Sequence, residues 1–308
     1  MAMPDHLKQL AARVSNTGRW GDDDERGTLN LIDAAAVLRG VAAARQGRAF
    51  SLAIPFDEDG PQTGAVPGRE NPRRTMLSVN APYTGDPADF CANDDAVAMG
   101  VQAATHWDAL AHVSYEGRLY NGIDASVVDE RGAGRLGIEN FGPVVSRGVL
   151  GDVARVHGVG YFDDGHAVTG DDLDAAMAEA GVSVEPGDVL LVRTGQMHFL
   201  RAGDPVRFGN PSPGLSTQSV EWLHDHDVAA VATDTLVFEV WPPEDPDVLL
   251  PVHLLHLVDM GMPQGQLWAL DDLAADCAAD GQYDFLLCAT PLPLTRSVGG
   301  AVAPTAIK

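Results

Sequence analysis

The segment Val189-Leu-Leu-Val-Arg193 is apolar at every position before its terminal arginine, so a strand formed here has no polar face to offer to water. Such a strand belongs in the middle of a sheet, and it needs helices to cover it. Helices are readable along the chain. Asp33 is placed as an N-cap before an Ala-rich run over 33–46 that stops near Gly47. Thr169 or Asp171 caps a second helix over 169–181, with Leu173 and Met177 at helical spacing and Gly181 as its stop. Segments 216–226 and 270–279 read as a third and a fourth. Short runs rich in β-branched residues predict strands at 142–150, 188–194, 228–232 and 284–289. No linker rich in Ser, Gly or Pro divides the chain and no repeat of 20–50 residues is evident. The expectation is one α/β domain of stacked layers.

Composition excludes more than it selects. The chain of 308 residues carries 44 acidic and 20 basic side chains, a formal net charge of -24 that repels a phosphate backbone and an anionic membrane surface alike. Nucleic acid and membrane are therefore not expected as partners. Cys91, Cys277 and Cys288 are odd in number and widely spaced, which points away from a disulfide framework or thiolate zinc site and toward a reducing compartment. With no apolar segment near the N-terminus and no long apolar run, a cytoplasmic location is expected.

Chemistry concentrates in Gln102-Ala-Ala-Thr-His-Trp-Asp-Ala-Leu-Ala-His112. If the segment around His106 is extended, His106 and Asp108 project to one face, because side chains alternate along a strand. Imidazole nitrogen and carboxylate oxygen suit zinc or manganese, and a catalytic site needs about three protein ligands with one position open. A cation there would bring the pKa of its water toward about 7 and so make hydroxide available to attack a carbonyl. His112, four residues past Asp108, is of the type to shuttle a proton near neutral pH.

These residues resemble the cyclase or kynurenine-formamidase-like family of metal hydrolases, which includes the isatin hydrolases. Its pattern is His-x-Gly-Thr-His-x-Asp-x-Pro-x-x-His or a close variant, and Thr105-His106-Trp107-Asp108 with His112 is similar to its central part. The stretch from Trp20 to Asn30 is similar to the N-terminal segment of a long subfamily, as are Tyr120-Asn121-Gly122, Arg193-Thr194-Gly195, Asp234-Thr235 and the Pro291 to Leu294 run to later segments. The resemblance implies a swivelling β/β/α layered fold in a single domain over 1–308, with an N-terminal extension of about 45 residues. It further implies a homodimer or homotetramer that hydrolyses amide or lactam bonds of small molecules. By position, His106 and Asp108 become metal ligands, His253 a distal ligand and His112 the catalytic acid/base. Two positions depart from the pattern: Gln102 replaces its first His, and Gln266 stands where a Glu normally follows the distal His. Neutral amides are weak donors, so the expectation is one divalent cation, zinc or manganese, with Gln102 and Gln266 touching it or orienting its ligands.

Further residues have two readings each. Arg193, at the end of its strand, either clamps a substrate carboxylate or forms an ion pair. Trp107 and Tyr120 either wall a flat substrate or pack in the core. Asp234 either orients a ligand histidine or caps a turn. His224 and His226 fit a helix C-terminus, whereas His6, His157, His166 and His198 form no pattern, and no glycine-rich phosphate loop is present. The leading expectation is a metal-dependent hydrolase of a small cyclic or acylated amide or ester. The alternatives are a metal-independent cyclase or dehydratase using His112, and a small-molecule binding protein without catalysis.

Overall fold

In the computed structural model, which describes residues 3–308, the apolar run becomes the strand Val189–Arg193, fifth of nine in a mixed sheet. The order across the sheet is Ala49–Ser51, Thr305–Ile307, Asp284–Cys288, Val145–Asp152, Val189–Arg193, Ala230–Thr233, Gln264–Gln266, His106–Asp108 and Gly299–Ala301. The four strands from Val145–Asp152 to Gln264–Gln266 run parallel, and the flanking pairs are antiparallel. Val189 and Leu191 enter one hydrophobic cluster while Leu190 and Val192 enter the other, as the two-residue period of a strand requires. Each face has its own helical cover. Leu273 and Cys277 of helix Asp271–Asp280 pack on the first, and Leu173 and Met177 of helix Gly170–Ala180 on the second.

Local chemistry sets the helix ends. The Asp33 side chain accepts from Ala36 N, and helix Ala34–Ala43 follows. Thr169 and Asp172 close a reciprocal capping box, and Gly181 stops the helix in the left-handed conformation. Segment 216–226 divides into a 3-10 turn, Thr217–Ser219, and helix Val220–Asp225. The sequence reading omitted a helix, Asp5–Val14, that buries Leu7, Leu10, Ala11 and Val14 on the second face. Those four lie at i, i+3, i+4 and i+7, the spacing of one apolar helix face. No helix among the described residues is long and apolar enough to cross a membrane.

The N-terminal segment is tied down by its acidic residues. Glu25 accepts from Arg135 Nε at 2.8 Å, Leu136 N at 2.7 Å and Asn140 Nδ2 at 2.8 Å. Asp24 accepts from Gly27 N, Asn30 Nδ2 and the Tyr120 hydroxyl. Tyr120 is thus a fully buried core residue and not part of a substrate wall, a correction forced by its hydrogen bond to a residue 96 positions away. Its ring lies beneath Gly261, where a Cβ would come within 2.4 Å of ring carbon at a φ of +63°. Strands Arg73–Pro82 and Cys91–Ala98 stand apart as a hairpin pairing only with itself, which exposes Leu77 and Val79 on its first strand and Tyr83 and Phe90 in its connection.

Gly261→Ala should therefore cost about 3 kcal/mol, from overpacking and a left-handed backbone together. Gly281→Ala, at a similar φ with nothing within 4 Å, should cost about 1 kcal/mol. Urea denaturation of the two variants checks this, and equal losses would contradict the packing argument.

Candidate active site

The strand His106–Asp108 lies between Gln264–Gln266 and Gly299–Ala301, with His106 opposite Gln266 and Asp108 opposite Gln264. All three of its residues are buried. Alternation sends Trp107 to the face away from His106 and Asp108. There the Trp107 ring meets Trp268 edge to face at 5.0 Å, and its indole N–H donates to the Ala289 carbonyl at 2.8 Å. Trp107 is core, and the expectation of substrate contact is corrected.

His106 Nδ1 bonds the Ala104 carbonyl at 2.7 Å, which makes Nδ1 the protonated nitrogen and leaves a lone pair on Nε2. That lone pair faces Asp108 Oδ1 at 3.5 Å, and neither buried atom has a hydrogen-bond partner. Asp108 Oδ2 is satisfied by Gln266 Nε2 at 2.6 Å. His112 Nε2 lies 3.6 Å from Asp108 Oδ1, and its Nδ1 lies 3.5 Å from Gln102 Nε2. Burial by itself pushes the Asp108 carboxyl up, but the imidazoles of His112 and His106 outweigh it and hold the group well below the usual carboxylate range. His112 moves below the ordinary imidazole value, because burial outweighs the attraction of Asp108.

His253 ends the short helix Pro251–His253, where its Nδ1 meets Glu239 Oε1 at 2.6 Å and its Nε2 lies 3.3 Å from Gln266 Nε2. Glu239 also accepts from the backbone N–H groups of Val252 and His253. The sequence reading missed Glu239, which sits alone in an apolar stretch. A carboxylate within hydrogen-bond reach of a ligand-type histidine was the signal, and only folding brings the two together. Next along the chain, His256 is fully buried with both ring nitrogens unpartnered, and burial pulls its pKa down to about 3.

Two other expected site residues lie elsewhere. Arg193 is held by Asp152 at 2.9 Å, Asp271 at 2.8 Å and the Gly160 carbonyl at 2.9 Å. Burial opposes its charge, but those carboxylates raise its pKa overall. It is an ion-paired strand end and not a substrate clamp. Asp234 accepts from Thr194 N, Thr194 Oγ1 and Gly195 N, and burial pushes it up to about 6. These bonds tie the ends of two parallel strands, so Asp234 orients no site histidine. His157 and His166, which form no sequence pattern, meet at Asp172, with His157 Nε2 2.7 Å from its Oδ1. They are the one trio of His, Cys, Asp or Glu among the described residues whose ligand-type atoms all lie within 4.8 Å of one another. Asp172 is already engaged there as half of the capping box.

His106, Asp108 and His253 do not meet that same spacing. What fits a cation is the pair of partnerless lone pairs 3.5 Å apart, since two ligands at about 2.1 Å from one tetrahedral ion lie about 3.4 Å from each other. Beside them opens an apolar cavity of about 580 Å³ onto which His112, His253 and Gln266 project, with Trp241, Leu236 and Leu250 among its walls.

The sequence matches the Cyclase family model over residues 50–240, a span that contains His106, Asp108 and His112 and stops before His253. A crystal structure described as a novel cyclase is 37% identical, with a TM-score of 0.86 over 96% of this chain and 99% of that one. This chain belongs to the cyclase family. Its fold is shared by isatin hydrolase A from Ralstonia solanacearum, at 21% identity and a TM-score of 0.62 over 88% of this chain and 95% of that one. An isatin hydrolase bound to the product analogue thioisatinate is 19% identical, with a TM-score of 0.59 over 89% and 98%. No curated protein matches the chain.

Glu239→Ala would leave two buried backbone N–H groups and the His253 ring without an acceptor. A stability loss of about 3 kcal/mol is expected by chemical denaturation, with Glu239→Gln losing less. Wild-type stability in Glu239→Ala would show that His253 is positioned by other means.

Proposed function

We propose that the protein is a metal-dependent hydrolase of a small cyclic or acylated amide or ester. The observation carrying this is the pair His106 Nε2 and Asp108 Oδ1, two buried lone pairs facing each other without a donor, set beside an apolar cavity. Burying unpaired acceptors is costly unless something electropositive sits between them. His106 and Asp108 would hold a divalent cation, zinc or manganese, with Gln266 fixing the second Asp108 oxygen. When bound, such an ion supplies Lewis-acid polarisation of a carbonyl and activation of water.

The remaining chemistry belongs to side chains. His112 is kept neutral by burial and reaches the cavity, so its ring takes a proton from the attacking water. Water oxygen adds to the acyl carbon, the C–N or C–O bond breaks, and His112 returns the proton to the departing nitrogen or oxygen. Gln102 Nε2, near His112 Nδ1, restricts the ring. The apolar walls hold a flat or acyl substrate and exclude bulk water.

Metal analysis and kinetics together test the reading. Protein purified without chelators should carry close to one equivalent of zinc or manganese, and His106→Ala and Asp108→Ala should each lose most of it. His112→Ala should keep the metal and lower kcat by about 10²–10⁴. Metal below about a tenth of an equivalent, with turnover untouched by chelators, would favour acid/base cyclisation or dehydration at His112 instead.

The homodimer or homotetramer is part of the same proposal. What supports it is the hairpin: two strands alone are marginal in water, and this hairpin presents Leu77, Val79, Tyr83 and Phe90 to solvent. A second copy of the chain is the occupant we assign to that surface. Light scattering should give at least twice the 32.5 kDa of one chain, and Leu77→Asp with Phe90→Asp should shift it down toward 32.5 kDa. A monomeric wild type rejects the assignment.

A further inference from the structure

Arg69 is the cation of the cavity. In a chain with 44 carboxylate side chains against 20 Lys and Arg, most arginines have a carboxylate within 4.0 Å, as Arg135, Arg147, Arg193 and Arg207 do. Among the described residues, Arg69 has none. It belongs to the cavity lining with His112, Val113, Val206, Leu236 and Trp241, a surface otherwise largely apolar. Burial lowers its pKa, against the attraction of Asp108. A guanidinium that is partly desolvated, unpaired and surrounded by apolar side chains is held at a cost unless it meets an anion in use. Asp108 does not fill that role, since one of its oxygens is bonded to Gln266 and the other faces His106 and His112.

We propose that Arg69 anchors a carboxylate carried by the substrate, so that the enzyme acts on small apolar amides or esters bearing a free acid group. This rests on the hydrolase reading and adds the substrate class. The planar fork of Arg69 pairs both carboxylate oxygens, and the apolar body fills the space between Trp241 and Leu236. The scissile carbonyl is thereby turned toward His112 on the same cavity wall. A single unpaired guanidinium also discriminates, because it pairs with an acid and gains no such charge-assisted bond from the neutral amide.

The test compares binding of phenylacetate and 3-phenylpropionate with phenylacetamide and 3-phenylpropionamide by calorimetry, in protein as purified with its metal. The acids should bind wild type at least about tenfold more tightly than their amides, and Arg69→Met should remove that preference. Arg69→Lys should keep part of it, which guards against misfolding as the cause, and circular dichroism should be unchanged in both variants. Equal binding of acids and amides by wild type overturns the proposal. So does an acid preference that persists in Arg69→Met, since that locates the anion at the metal centre. Turnover of acyl amides and esters is followed separately: binding that depends on Arg69 without any hydrolysis would sink the hydrolase reading and leave the anion site standing.

Discussion

The two-residue period of the short strand His106–Asp108 divides the molecule into a core side and a reactive side. Trp107 turns inward to Trp268 and is fixed by its bond to the Ala289 carbonyl, which locks the strand against rotation. With Trp107 anchored, His106 and Asp108 project together on the other face. Register then brings the partners. Gln266 lies opposite His106 and Gln264 opposite Asp108, so the neighbouring strand places its two amides on the reactive face. A slip of one residue would bury His106 and Asp108 in the core and expose Trp107, and the cost of both errors holds the register.

The site lies where the sheet changes from parallel to antiparallel. Strands Val145–Asp152 through Gln264–Gln266 run one way, and His106–Asp108 arrives running against them. The start of that strand therefore sits at the carboxyl end of its neighbour, which is where open α/β sheets place their ligands. The other carboxyl ends are occupied by structural charge. Asp234 caps the Thr194-Gly195 turn, and Arg193 is tied to Asp152 and Asp271. Charged groups at those ends consume one another, whereas His106 and Asp108 keep lone pairs unspent.

Much of the scaffold was legible in the sequence. A strand without a polar face has few places to go, and caps such as Asp33 and Thr169 act through neighbours three residues away. That His106 and Asp108 share a face was legible for the same reason, since alternation along a strand is local. Arg193, Asp234 and Tyr120 were ambiguous because their partners are distant in the chain: Asp271 for the first, Thr194 for the second and Asp24 for the third. Trp107 was a different case. The alternation that joined His106 to Asp108 already set Trp107 on the opposite face, so the aromatic wall conflicted with the argument for the ligand pair. Glu239 and Arg69 were missed because neither falls in a motif, and each becomes meaningful through what surrounds it.

Gln266 puts a neutral amide beside the buried Asp108 carboxylate, where the resemblance implies a Glu. Gln266 donates to Asp108, so it removes one acceptor from competition for a cation and leaves the other oxygen toward His106. A carboxylate at that position would instead repel Asp108 and add a ligand, which describes a site built for more positive charge. With an amide there, Asp108 is the one carboxylate that faces His106 and His112, and a second cation between the imidazoles would have no further carboxylate to balance it. The Glu239 charge does not change this count, because His253 Nδ1 and two backbone N–H groups absorb it. The single divalent ion proposed above matches one buried carboxylate, and Arg69 is the one Lys or Arg side chain that lines the cavity beside it.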